Sequence, residues 1–187
     1  MNITVFGSSK PKPGEDDYIQ AMRLGELIAR AGHSVLTGGY IGTMEAVSRG
    51  AAEAGGHVIG VTCAEIERWR NKRANPWVKE ERHFETLNER LQELITACDA
   101  AIVLPGGPGT LAEISLFWNL LIINALPPRP LVLVGNGWRR FFQAYLEAMG
   151  DYLMPGDSRW ILHADTIETA LHLAENHAAG SSKENNY

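Results

Sequence analysis

The sequence contains little cysteine and no excess of positive charge. Its two cysteines, Cys63 and Cys98, lie far apart, and neither has a cysteine or histidine close enough to suggest a zinc ligand set. We therefore expect no metal and a reducing, cytoplasmic environment. The 17 basic and 22 acidic residues give a net charge of -5. Proteins dedicated to nucleic acids or membrane surfaces need a basic field, so we expect neither partner.

The sequence also lacks a long hydrophobic run. The longest one, at about residues 114–126, is broken by Ser115 and Asn119 and falls short of the roughly 20 residues that cross a bilayer. The opening residues, MNITVFGSS, have neither the basic region nor the apolar stretch of a signal peptide. We expect a cytoplasmic protein without a membrane segment.

What the sequence does contain is an alternation of short β-branched segments with segments of helical periodicity. This alternation predicts the α/β class: a doubly wound parallel sheet of the Rossmann-like type, in three α/β/α layers. The 187 residues suit one domain, residues 1–178, followed by a disordered polar tail, residues 179–187. Residues 65–82 are basic and are interrupted by Pro76, so we expect a partly ordered loop there. The six predicted strands are Ile3–Phe6, His33–Thr37, His57–Val61, Ala100–Leu104, Pro130–Val134 and Arg159–His163, and the helices are Asp16–Ala31, Thr43–Ala54, Leu87–Ala97, Thr110–Asn124, Trp138–Met149 and Thr166–His177.

Three of the predicted strands end in small or glycine-rich turns. Glycine lets the backbone approach an anion closely, and the helix that follows offers unpaired N–H groups. The turns of a parallel sheet open on one edge, so together they predict a phosphate site, although each turn alone is equally consistent with ordinary turn geometry. The candidate residues are Gly7, Ser8 and Ser9 after the first strand, Gly38, Gly39 and Gly42 after the second, and Gly106, Gly107 and Gly109 after the fourth.

These turns do not match the common nucleotide motifs well. Gly107, Gly109 and Ala112 fit G-x-G-x-x-A, but they follow the fourth strand, and the next strand ends in Gly135 and Asn136, without a carboxylate for a ribose. An NAD site is therefore weakly supported. The chain contains no G-x-x-x-x-G-K-[ST] motif, so a P-loop nucleoside triphosphatase is not supported.

The segment PGGPGTLAE, residues 105–113, resembles the PGGxGTxxE signature of the LONELY GUY family. TGGYIGTMEA (residues 37–46), the early VFGSS and LNERLQEL (residues 87–94) resemble further family segments, and the similarity covers about residues 2–150. The resemblance implies a nucleotide-binding hydrolase, a phosphoribohydrolase that splits the N-glycosidic bond of a nucleoside 5′-monophosphate into free base and ribose 5-phosphate. The substrate would be AMP or an N6-substituted AMP, as in the cytokinin ribotides on which the plant members act. By position, Arg90 and Glu113 would be catalytic, and the loop from Gly106 to Thr110 would hold the phosphate.

Both implied catalytic residues also have a structural interpretation. Thr110 and Glu113 have the spacing of a helix capping box. Arg90 lies at the edge of an apolar helical stripe, where it could extend to solvent and pair with Glu93. The chemical interpretation is that a carboxylate stabilises the positive charge that forms on the ribose when the C1′–N bond breaks.

Family members are often described as lysine decarboxylases, which would need pyridoxal phosphate on a lysine. All five lysines lie in polar loop-like or tail segments, so we expect no cofactor. A different class of function remains as an alternative: a carrier that binds a nucleotide or the molybdenum cofactor without converting it.

The segment LAEISLFWNLLIINAL, residues 111–126, is apolar almost all round its predicted helix. One sheet-facing stripe does not account for this, so we expect a homodimer that buries the helix and closes each site with residues of its neighbour. The resemblance points the same way. The alternative is cover from within the chain, for example by the last helix.

Overall fold

The structure, a computed structural model, describes residues 1–181, with side chains described for residues 1–177. The last helix ends at Ser181. The predicted tail at residues 179–187 therefore begins as helix, and residues 182–187 lie outside the described part of the chain.

Seven parallel strands form one sheet in the order β4-β3-β2-β1-β5-β6-β7. The predicted doubly wound α/β fold is confirmed, because the chain winds outward from β1 in one direction and from β5 in the other. The switch between the two directions lies between β1 and β5. The strands are β1 Asn2–Phe6, β2 Ser34–Thr37, β3 Val58–Cys63, β4 Glu80–Phe84, β5 Ala100–Val103, β6 Leu131–Val134 and β7 Ile161–Ala164.

The helices cover both faces of the sheet. Helices α1, α2 and α7 pack on the face that carries Ile3, Val5 and Val35, and α4, α5 and α6 pack on the face that carries Leu36 and Val61. Alternate strand residues point to opposite faces of the sheet. Because helices cover both faces, both sets of residues are apolar. The helices are α1 Asp16–Arg30, α2 Thr43–Glu53, α3 Ala64–Arg70, α4 Leu87–Thr96, α5 Pro108–Ile122, α6 Asn136–Met149 and α7 Ile167–Ser181.

The prediction of a partly ordered loop at residues 65–82 is wrong. This region contains most of α3 and the start of the edge strand β4. Strand β4 reads EERHF, with only one hydrophobic residue, because an edge strand is covered less than a central one. Because its side chains are mostly charged, a search of the sequence for apolar runs does not detect this strand.

Other parts of the same chain cover one side of helix α5. Phe117 and Leu121 are buried, and the Trp118 Nε1–H donates a hydrogen bond to the Asp157 carbonyl at 2.8 Å. The Trp118 ring also packs edge-on against Phe142 of α6. The cover therefore comes from α6 and the turn near Asp157, and the alternative that the last helix supplies it is wrong, because α7 packs on the opposite face.

Among the described residues, we find no helix with the length and apolar character that a bilayer span requires.

Candidate functional site

The three glycine loops meet at the carboxyl edge of the sheet. They are the first (residues 7–9), second (residues 38–42) and third (residues 106–110), and they follow the adjacent strands β1, β2 and β5. The Ser8 N–H donates to the Pro105 carbonyl at 3.2 Å, and the Thr43 N–H donates to the Ser8 carbonyl at 2.8 Å. The loops therefore surround the switch between β1 and β5, which is where ligands bind in open α/β sheets.

The glycines of these loops serve two different purposes. A Cβ atom on Gly38 would lie 1.9 Å from Nη2 of Arg90, and one on Gly42, which has φ +73°, would lie 2.5 Å from the carbonyl carbon of Ser9. Packing alone requires glycine at these two positions. A Cβ on Gly107 or Gly109, in contrast, would meet no atom within 4 Å. These two glycines face open space, as a backbone that receives a ligand must.

Three more of the predicted glycines pack closely against neighbouring side chains. A Cβ on Gly7 would lie 2.6 Å from Cγ2 of Thr43, and one on Gly39, which has φ +75°, would lie 2.8 Å from Cγ2 of Thr62. In the third loop, Thr110 is buried, and a Cβ on Gly106 would lie 2.2 Å from its Oγ1. These contacts fix the shape of the loops around the open positions.

Arg90 is buried at the centre of this edge. It lies in α4, which begins with a capping box between Thr86 and Glu89. Only 4% of Arg90 is exposed; its Nε–H donates to the Val61 carbonyl at 2.8 Å, and its Nη2–H donates to the Gly38 carbonyl at 3.2 Å. The interpretation of Arg90 as a solvent-directed side chain paired with Glu93 is therefore wrong. Glu93 pairs with Arg82 at 2.7 Å instead.

Glu113 is buried in the first turns of α5. The helix begins at Pro108, with Gly107 as its N-cap and no side-chain hydrogen bond at the cap. Thr110 is therefore already inside the helix, and the capping-box interpretation of Thr110 and Glu113 is wrong. The carboxylate Oε1 of Glu113 lies 4.0 Å from Nη1 of Arg90.

The environment of Glu113 makes it easy to protonate at neutral pH. Burial raises the pKa of Glu113 to about 7, and the nearby charge of Arg90 offsets only part of that rise. A carboxyl group of this kind can accept or donate a proton at neutral pH, and groups with such shifts are concentrated at functional sites. The structure thus brings the two implied catalytic residues together beside the glycine loops.

The sequence did not single out two side chains that lie at this edge. Tyr40 is buried with its ring 5.6 Å from the Arg90 guanidinium, and its hydroxyl hydrogen-bonds to the backbone of Cys63. Arg70, at the end of α3, donates from Nη2 to the Ser9 hydroxyl at 3.0 Å. The basic run around Arg70 was visible in the sequence. Its position in the fold depends on α3, which was not predicted.

One group of potential metal ligands lies away from the glycine loops. Glu67, Glu81 and His83 offer ligand atoms that all lie within 4.8 Å of one another. Two of the three already hydrogen-bond to the Thr62 hydroxyl, which lies 2.6 Å from Glu81 and 3.1 Å from His83. We assign no metal to this group, and the absence of a metal requirement stays a prediction.

Comparison with known proteins identifies the family. A family model described as the SLOG cluster4 family matches residues 1–121. The chain belongs to this family. A probable cytokinin riboside 5′-monophosphate phosphoribohydrolase of Oryza sativa subsp. japonica is 32% identical over 161 residues, which are 84% of this chain and 69% of that protein. The cytokinin riboside 5′-monophosphate phosphoribohydrolase of Mycobacterium tuberculosis is 30% identical over 174 residues, 90% of either chain. The resemblance to the LONELY GUY family is therefore confirmed.

Among solved structures, this SLOG protein is similar to the molybdenum cofactor carrier protein of Chlamydomonas reinhardtii. The two are 24% identical and match with a TM-score of 0.72 over 95% of this chain and 98% of the carrier. At this identity, the likeness concerns the fold alone.

Proposed function

We propose that the protein hydrolyses the N-glycosidic bond of a nucleoside 5′-monophosphate, releasing the free base and ribose 5-phosphate. AMP or an N6-substituted AMP of the cytokinin type is the substrate class. The observation that carries the proposal is the buried pair of Arg90 and Glu113 beside the open backbone of Gly107 and Gly109. The names of the relatives in rice and Mycobacterium tuberculosis support the same reaction.

In this proposal, the third glycine loop holds the 5′-phosphate. The first turn of α5 has free N–H groups and the positive end of the helix dipole, which together favour an anion. With the phosphate there, the ribose lies toward Glu113, one turn further along the same helix. The charge of the phosphate is then matched without a lysine.

Glu113 acts on the ribose in its ionised form. As the C1′–N bond breaks, its electron pair leaves with the base, and positive charge builds on the sugar. The Glu113 carboxylate stabilises this charge and takes a proton from the attacking water, whose oxygen forms the new bond to C1′. The base takes up a proton from solvent as it departs, and Glu113 releases the proton of the attacking water to solvent, which restores the carboxylate. Arg90 keeps a fraction of Glu113 ionised at neutral pH and holds its own place through the Val61 and Gly38 carbonyls.

A carrier of a nucleotide or the molybdenum cofactor is the alternative function. It shares the fold with the solved carrier protein, but that likeness does not extend to activity. A buried carboxyl group with a raised pKa is costly to the folded protein, and a binding protein for anions has no need of one. This cost favours the hydrolase over the carrier.

One assay separates the two functions. Purified protein is incubated with AMP, and adenine and ribose 5-phosphate are sought by chromatography. We expect both products in equal amounts. Tight binding without product across a panel of nucleoside monophosphates would instead support the carrier.

We also propose a cytoplasmic location, since Cys63 and Cys98 are both unpaired, which fits a reducing compartment.

A further inference from the structure

Helix α3 brings a cation to the glycine loops from a distant strand. It follows β3, which lies two strands away from β1 in the sheet. Its last residue, Arg70, is half-buried and donates from Nη2 to the hydroxyl of Ser9 in the first glycine loop at 3.0 Å. The guanidinium also lies 4.9 Å from the centre of the Trp69 ring. Arg70 thus extends over the carboxyl edge of the sheet toward the β1 loop.

The charge of Arg70 has no acidic partner among the described side chains. Arg49, Arg82 and Arg139 each form an ion pair with a carboxylate at 2.8 Å or less. For Arg70, the contacts within residues 1–177 are the neutral Ser9 hydroxyl and the Trp69 ring. A guanidinium carries five N–H donors, so most of those on Arg70 remain available.

Ser9 lies where the glycine loops touch one another. A Cβ on Gly42 of the second loop would lie 2.5 Å from the Ser9 carbonyl carbon, and the neighbouring Ser8 N–H bonds to Pro105 just before the third loop. The guanidinium of Arg70 is therefore anchored on the first loop, which contacts both the second loop and Pro105, three residues before α5 begins. A cation without an acidic partner, on a loop next to a helix N-terminus, is matched by an anion with several oxygen atoms.

We propose that Arg70 binds the phosphate group of the nucleotide held by the glycine loops, from the side of the first loop. The choice of a nucleotide rests on the proposed function. Arg70 would then select phosphorylated ligands over free nucleosides, and α3 would be a substrate-binding element of this chain.

Calorimetric titration with AMP and with adenosine tests this inference, with every variant made in the Glu113→Gln background so that AMP is not hydrolysed during the titration. We expect Arg70→Ala to weaken AMP binding by about 10-fold or more, because a charge-assisted hydrogen-bonded contact is lost. Adenosine binding should change by less than about 2-fold, since adenosine has no phosphate. Arg70→Lys keeps the charge but not the planar fork and should retain part of the affinity. Arg68→Ala is the matched control, because Arg68 is an exposed residue of the same helix.

Two results would overturn the inference. The first is an AMP affinity in Arg70→Ala equal to that of the Glu113→Gln parent, and the second is an equal proportional loss for AMP and adenosine, which would indicate a structural role for Arg70. The outcome is separable from the proposed reaction, because wild-type protein that binds AMP without hydrolysing it would contradict the reaction only. Wild-type protein that does not bind AMP would contradict both.

Discussion

At the scale of single residues, the ionisation of Glu113 should control turnover. The carboxylate must be ionised to stabilise the ribose cation, and the pKa of Glu113 is raised by burial to about 7. The rate with AMP should therefore rise from pH 6 to pH 8. Glu113→Gln should lower the rate by about 100-fold or more and remove this rise. Initial rates of adenine release between pH 5.5 and 8.5 measure both effects; an unchanged rate in the variant would exclude Glu113 from catalysis.

The same residue should make the folded protein less stable at high pH. The folded state holds the Glu113 proton up to about pH 7, whereas the unfolded state releases it near the ordinary value of 4.5. Between these values the folded state binds more protons, so the free energy of unfolding falls as pH rises. Because glutamine resembles the protonated side chain, Glu113→Gln should be more stable than wild type at pH 8, by on the order of 3 kcal/mol, and equal at pH 4.5.

Urea unfolding at the two pH values measures this difference. Glu147→Gln is the control, because Glu147 is an exposed carboxylate on α6 and should give no such gain. Equal stability of Glu113→Gln and wild type at pH 8 would show that Glu113 ionises without cost and would remove the basis for its assigned role.

At the scale of elements, the open first turn of α5 can be tested separately from the packing of its loop. Gly109 is the second residue of α5, and a Cβ there meets nothing within 4 Å. Gly109→Ala should therefore leave the fold intact and stabilise the helix by up to about 1 kcal/mol. It should nevertheless raise the KM for AMP by about 10-fold, because the added methyl group occupies the space of the phosphate.

Gly137→Ala provides a matched control for this experiment. Gly137 is also the second residue of a helix, α6, and its added Cβ likewise meets nothing within 4 Å. Thermal melts should show a similar gain for both variants, while only Gly109→Ala changes the KM. If both variants bind AMP as wild type does, the phosphate is not held at α5.

Elements also show what the sequence was able to predict. Six strands were predicted to within two residues at each end, and five of them lie inside the sheet, where burial on both faces favours apolar runs. Strand β4 and helix α3 were missed, since EERHF carries charges on an exposed edge. The signature at residues 105–113 located Glu113, but only the observed start of α5 at Pro108 removes the capping interpretation. The contact of Arg70 with the first glycine loop could not be predicted, because it depends on α3.

At the scale of the whole molecule, an apolar surface remains uncovered on α5, α6 and the turn after α6. A groove of about 330 Å3 runs between α5 and α6, and it is lined in part by Leu111, Ile122 and Phe141. Several large apolar side chains at the end of α5, on α6 and in the turn after α6 are exposed. They are Ile123 at 60%, Phe141 at 42%, Met149 at 47%, Tyr152 at 84% and Met154 at 72%. Soluble monomers seldom expose large apolar surfaces, so the expected homodimer remains our proposal.

The final prediction is that a second copy of the chain covers this surface about a two-fold axis. A two-fold interface buries the same surface of both copies, and the exposed apolar side chains of α5 and α6 would be covered in this way. Light scattering at micromolar concentration should give a mass near twice 20.6 kDa.

Ile123→Asp and Phe141→Asp should shift the protein to monomers, because each would bury an unpaired charge in the interface. Ile19→Asp is the control, since Ile19 is 45% exposed on α1, on the opposite face of the sheet. A wild-type mass near 20.6 kDa would refute the dimer. If the neighbour also closes the site, the monomeric variants should lose activity with AMP while keeping the fold that the control keeps.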